Sequence, residues 1–168
     1  GIFYNADIFE DCGITEVPTT WDEFMEACQI MKDKGYQPMA LDSTYAPFWF
    51  GYHLARTIGE DATAELALNG GWSQNPGVAQ AADDIIEFVN AGYLAEGAPD
   101  EYPASQNKMG IDQDVAMVVC ANYVTAEVNQ NSGTELNWGL FAYPTVENGA
   151  DSTSTFAGAN SIAITKYS

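Results

Sequence analysis

The chain is poor in positive charge. It has 5 Lys and Arg against 24 Asp and Glu in 168 residues, a formal net charge of −19. A field of that sign repels the phosphates of DNA and RNA and anionic membrane surfaces, so nucleic acid is excluded as a partner. There is one histidine, His53, and the three cysteines, Cys12, Cys28 and Cys120, lie far apart. An odd, widely spaced set makes neither a disulfide framework nor a metal motif, although a Cys12–Cys28 bridge stays open. No apolar run reaches the ~20 residues that a membrane-spanning helix requires. Neither a secretory leader nor an initiator Met precedes Gly1, which reads as a mature product or an excised fragment. The short signatures of catalysis are missing too: no Gly-x-Ser-x-Gly, HExxH, CxxC, calcium loop or phosphate-cradling glycine loop occurs. The expectation is no catalytic residue, no metal and no cofactor.

What is present is a core. The chain is 46% hydrophobic and 12% aromatic, enough to bury one domain over residues 1–168. The strongest local signal spans residues 15–35. Thr20 and Glu23 are spaced as a capping box, and Asp22 and Glu23 suit the positive end of a helix dipole. Trp21, Phe24, Met25, Cys28 and Met31 recur at three- and four-residue intervals, so a helix over 20–34 carries one apolar stripe and stops at Gly35. A second helix is signalled by Asn75 as N-cap and Pro76 at the first helical position, with Val78, Ala82, Ile85, Ile86 and Val89 as its buried stripe and Gly92 as its end. Weaker helices are expected over 6–10, 48–58, 62–68, 104–109 and 122–130. Residues 2–4, 37–41, 115–120, 138–143 and 161–165 read as short strands. Helices interleaved with a few strands specify an α/β domain, helix-rich with a small mixed sheet.

The aromatic residues carry the functional information. Tyr45, Phe48, Trp49, Phe50 and Tyr52 crowd one turn and helix start, Tyr123 follows an apolar strand, and Phe156 precedes Gly158-Ala159-Asn160. Rings near strand ends, with Asp, Asn and Ser beside them, suit a neutral polyhydroxylated ligand, whose C–H face stacks while its hydroxyls are hydrogen-bonded. Composition favours core packing for Phe48, Phe50 and Trp138. His53, without an acidic partner at fixed spacing, reads as structural, and the pairs Asp83-Asp84 and Asp112/Asp114 read as solvated surface. A glycosidase, the alternative, needs two carboxylates facing across a cleft.

Three ordered motifs carry a family resemblance. They are Tyr4-Asn5-x-Asp7-x-Phe9-Glu10-x-x-Gly13-Ile14 with Pro18-x-Thr20-Trp21-Asp22-Glu23-Phe24; Asp114-Val115-Ala116-Met117 running to Ala121-Asn122-Tyr123; and Asn137-Trp138-Gly139-x-Phe141-x-x-Pro144 followed by residues 156–164. The chain resembles the extracellular solute-binding proteins of sugar-importing ABC transporters, of which maltose-binding protein is the familiar member. The resemblance implies one lobe of a two-lobe, type II periplasmic-binding-protein-like fold. Residues 1–168 would be most of the second, C-terminal-type lobe, without most of the N-terminal lobe and the final helices. It implies non-catalytic capture of a mono- or oligosaccharide between two lobes and delivery to permease subunits. The protein would be a monomer outside the cell membrane, periplasmic or lipid-anchored through a segment beyond this fragment. Tyr123 takes the place of a sugar-stacking Trp. The turn after the second strand supplies Asp42, Ser43, Tyr45 and Trp49, Asn122 sits beside Tyr123, and the turn before the last strand supplies Gly158 and Asn160. Another small solute on the same fold is the remaining alternative. An anionic one would need Arg or Lys, which these segments lack.

Overall fold

The computed structural model describes residues 1–151 together with residues 153–155, 157, 158, 163 and 166. Of the expected strand 161–165 only residue 163 is described, and the flanking Phe156 and Asn160 fall outside the described residues. Among them, four strands, β1 (Ile2–Asn5), β2 (Gln37–Ala40), β3 (Val115–Val119) and β4 (Trp138–Phe141), form one sheet in the order β2-β3-β1-β4. β2 runs parallel to β3, whereas β1 is antiparallel to both β3 and β4, so the sheet is mixed. The parallel register is pinned at its start, where Gln37 N donates to Asp114 O at 2.8 Å and Gln37 Nε2 donates to both Asp114 carboxylate oxygens at 3.1 and 3.0 Å.

Successive strand side chains point to opposite faces. Ile2, Met39, Leu41, Met117 and Val119 join one apolar cluster, while Phe3, Ala40 and Val118 join another. The sheet is therefore covered on both sides. The larger cluster is closed by α1 (Ala6–Asp11), α2 (Trp21–Asp33), α3 (Ala46–Ile58) and α5 (Pro76–Asn90), with α4 (Glu60–Asn69) packed on α3. The smaller cluster lies under α6 (Ala104–Ile111) and α7 (Val124–Ser132). No helix among the described residues is long and apolar enough to cross a membrane.

α2 forms as its sequence specifies. Thr20 Oγ1 accepts from Glu23 N at 3.2 Å, and Glu23 Oε2 accepts from Thr20 N at 3.1 Å and from Thr19 N and Oγ1, both at 2.8 Å. Trp21, Phe24, Cys28 and Met31 are buried and Met25 is half-buried. α5 starts at Asn75 and Pro76 as expected, but its core face is different. Ala81 and Phe88 are the buried residues, whereas Ile86 and Val89 lie exposed, and Val78, Ala82 and Ile85 are half-buried. Phe88 wins because it is the largest apolar group on the helix and sits among rings: it stacks on Phe24 at 5.7 Å and meets Trp49 edge-on at 5.2 Å. Trp138 is half-buried rather than core, its indole donating to Asn129 Oδ1 at 3.0 Å. The three cysteines are free thiols, so the Cys12–Cys28 bridge does not form.

These packing roles separate in magnitude. Thr20→Ala should cost about 1 kcal/mol of stability through the lost cap, and Phe88→Ala about 3–5 kcal/mol through the cavity it leaves. Urea denaturation midpoints of the two variants check the ranking.

Candidate functional site

Because β2 and β3 are parallel, their C-terminal ends emerge at one edge of the sheet, the place where open α/β sheets receive ligands. The segments that follow them, residues 41–45 and 120–124, therefore lie together. A third segment joins them. Asp100 bridges Asp42 in a parallel sense, with Asp100 N donating to Leu41 O at 3.1 Å and Ser43 N to Asp100 O at 2.8 Å. α6 is tied to the same edge by Ser105, whose hydroxyl donates to Leu41 O at 2.7 Å and accepts from Leu41 N at 3.1 Å.

Asp42 is buried at this edge, 1% exposed. Its Oδ1 accepts from Thr44 N at 2.9 Å and Tyr45 N at 3.0 Å, closing an Asx-type turn into α3. Its Oδ2 has no partner among the described residues, and neither has the buried Oε1 of Gln106. Burial raises the pKa of Asp42; the Thr44 amide opposes that and the charge of Glu127 adds to it. Glu127, on the first turn of α7, is held at both oxygens, by Tyr102 Oη and by Gln106 Nε2 at 2.7 Å. That bond pushes the Tyr102 phenol up to about 12.

The rings divide. Tyr123 stands at the start of α7 with 39% of its surface open. Its hydroxyl pKa is raised by partial burial first and by Glu127 and Asp42 after that, so it shares their field. Tyr45 is half-buried, 6.2 Å from Tyr102 and 5.7 Å from Phe48 between ring centroids. Trp49, by contrast, is 3% exposed and packed on Phe88 in the core, so it does not belong to this surface. Phe48, expected in the core, is exposed instead. Helix phase explains the exchange, since adjacent residues on α3 point about 100° apart and only one can face the sheet. Ser43, Asn122 and Gly158 are exposed, and Asn160 lies outside the described residues.

Tyr102, Gln106 and Glu127 are the residues that sequence reasoning missed. Glu127 had a signal: it is four residues after Tyr123, and on a helix that spacing puts both on one face. Tyr102 and Gln106 had none, because they arrive by tertiary packing. His53 is structural as expected, but it does have an acidic partner: Nε2 meets Asp84 Oδ2 at 2.8 Å and Nδ1 meets the Tyr143 hydroxyl at 3.2 Å. Asp84 is thereby half-buried rather than solvated. Burial lowers the His53 pKa against the pull of Asp84. Among the described residues no group of three His, Cys, Asp or Glu could hold a metal. Two hollows among the described residues lie elsewhere. One, of about 260 Å³, is lined by Tyr4, Phe9, Glu10 and Ile14, and the other, of about 540 Å³, by Ile58, Asp61, Asp151 and Ser154. Neither holds an open ring beside an unanswered acceptor, which the strand-end surface does.

The model of the bacterial extracellular solute-binding protein family matches residues 1–168. A multiple sugar-binding protein of Streptococcus mutans is 31% identical over 124 residues, 73% of this chain and 28% of that protein. A chitin oligosaccharide binding protein superposes with a TM-score of 0.76 at 26% identity, over 87% of this chain and 38% of that one. The solute-binding protein RafE in complex with raffinose has the same fold, with a TM-score of 0.70 at 20% identity over 86% of this chain and 39% of its own. The chain thus spans well under half the length of these relatives.

The exposures separate two variants. Trp49→Ala should cost about 3–5 kcal/mol of stability, whereas Tyr123→Ala should stay within about 1 kcal/mol; thermal melts of the pair test this. Asp42 adds a pH dependence. Its folded pKa is raised above the ordinary 3.8, so its contribution to stability is full below that value and is lost as pH rises through the folded pKa. Asp42→Asn removes the loss, and its stability relative to the native chain should climb from pH 4 to pH 7 in denaturation series.

Proposed function

Since this chain belongs to the bacterial extracellular solute-binding protein family, we propose that its strand-end surface is one wall of a cleft that captures a carbohydrate for an ABC importer. Its fold is one lobe of a type II solute-binding protein. Residues 1–168 supply most of the C-terminal-type lobe, and a second lobe brings the opposite wall. The observation that carries the reading is Tyr123, an open ring in the field of Asp42 and Glu127, with Asp42 Oδ2 buried and unanswered. A sugar fits both demands. Its C–H face covers the ring, and a hydroxyl donates to the waiting carboxylate oxygen. Tyr45, Ser43 and Asn122 border the same edge and add contacts, and Gly158, with Asn160 outside the described residues, is proposed as a further contact. The relatives named for multiple sugars, chitin oligosaccharide and raffinose support a carbohydrate over other solutes.

Closure of the two lobes on the sugar is the signal that permease subunits read. The protein acts as a monomer outside the cytoplasmic membrane, periplasmic or held by a lipid anchor that lies beyond this segment. Asp42 and Glu127 invite a second reading, since a glycosidase also needs two carboxylates at one cleft. The binding reading is favoured because Glu127 has both oxygens occupied and Asp42 spends one oxygen on its own turn.

A thermal-shift survey of the full-length protein against mono- and oligosaccharides tests the proposal, because a ligand that binds the folded state must raise its midpoint. The best sugar should then bind Tyr123→Ala about tenfold more weakly or worse, with the melting point nearly unchanged. Release of reducing ends from any glycoside would overturn the reading in favour of an enzyme.

A further inference from the structure

The strand-end surface accepts hydrogen bonds and holds negative charge, and four of the five basic side chains are bound to other groups. Lys32 donates to Ala91 O, Lys34 pairs with Asp11, Lys108 pairs with Asp100 and donates to Glu96 O, and Arg56 donates to Tyr143 O. None of these four bonds to Asp42 or Glu127. The two carboxylates also differ in freedom. Glu127 is fastened at both oxygens by Tyr102 and Gln106, so it cannot swing away, and it contributes a fixed field rather than a bond to a guest. Among the described residues Asp42 keeps one buried oxygen open, as Gln106 does. The surface thus asks for donors, and none of these four cations answers it.

We propose that Asp42 and Glu127 are specificity-determining residues that sort the guest by charge, admitting neutral and amino sugars and rejecting uronic acids. The inference rests on the carbohydrate reading above and adds the charge of the guest to it. A neutral hydroxyl satisfies Asp42 Oδ2 as an ordinary donor. An ammonium group does so with charge assistance, and it offsets the field of Glu127 as well. A carboxylate brings a third negative charge to a place where Asp42 and Glu127 already hold two, while Lys32, Lys34, Lys108 and Arg56 are bound to other groups. Its repulsion grows as lobe closure expels water and the screening falls. Because Glu127 acts through its field and Asp42 through a bond, the two should separate in their variants. Loss of the Glu127 charge relaxes discrimination, whereas loss of the Asp42 charge relaxes discrimination and weakens the hydrogen bond to every guest.

The experiment is calorimetric titration of the full-length protein with matched triplets: glucose, glucuronate and glucosamine, then galactose, galacturonate and galactosamine. These are followed by the same series built on the best oligosaccharide from the thermal survey. Each uronate should bind about tenfold more weakly than its neutral parent or worse, and each amino sugar at least as tightly as that parent. In Glu127→Gln the gap between parent and uronate should narrow several-fold. Asp42→Asn should narrow the gap and also weaken the neutral parent. A uronate that binds as tightly as its parent overturns the proposal while leaving sugar capture intact, and so does a gap that neither variant changes. Failure of every neutral sugar to bind defeats the carbohydrate reading itself, and this inference with it.

Discussion

The parallel pairing of β2 with β3 is the constraint on which the site depends. Three bonds between Gln37 and Asp114 and a fourth from Glu96 N to Gln37 Oε1 at 2.7 Å hold it at its origin. A one-residue slip would turn every side chain of the strand to the opposite face. Met39 would leave the larger apolar cluster, and Asp42 would lose its place beside Glu127. The register is therefore fixed twice, by a polar clamp at one end and by apolar matching along the strand. What emerges at the other end of the two strands is positioned as a consequence.

The second principle is a division of labour among aromatic residues. Trp21, Phe24, Trp49 and Phe88 touch one another and fill the space between the sheet and its helices. Tyr45, Tyr102 and Tyr123 stand at the rim instead, where a phenol can keep an apolar face and a wet edge at once. Trp21 and Trp49 in the core and Tyr45, Tyr102 and Tyr123 at this edge would suit a wall that stays solvated until a ligand arrives. The acidic groups follow the same logic, since Asp42 is placed by its turn and Glu127 by its two donors before any guest is present. Preorganisation of this kind lowers the ordering cost of binding.

Much of the fold was legible in the sequence because its signals are local. The capping box at Thr20 and Glu23, the Asn75-Pro76 start and the apolar run at Val115–Val119 each specify an element with a few neighbouring residues. The family was legible as well, from three ordered motifs, and the match over residues 1–168 bears it out. The site was legible only in part. Tyr45, Asp42 and Tyr123 follow strand ends and could be named from the chain. Trp49 could not be told from Phe48, because phase on α3 is set by how the helix lands on Phe88. Tyr102 and Gln106 lie 60 or more residues from Asp42 in the chain, and the ladder between Asp42 and Asp100, with Ser105 bonded to Leu41, brings them in.

The order of the strands also bears on how the chain is made. β1 and β2 leave the ribosome before β3, yet both pair with it, and β1 pairs with β4 as well. At roughly 5–20 residues per second, β2 spends several seconds without its neighbour and β1 longer still. This sheet cannot form until β3 has been synthesised, and the loop closures needed then are long ones, which fold slowly. For a chain of an extracellular family this delay has a use. A polypeptide that cannot close its sheet early stays threadable while it is being synthesised, and export through a narrow channel calls for that.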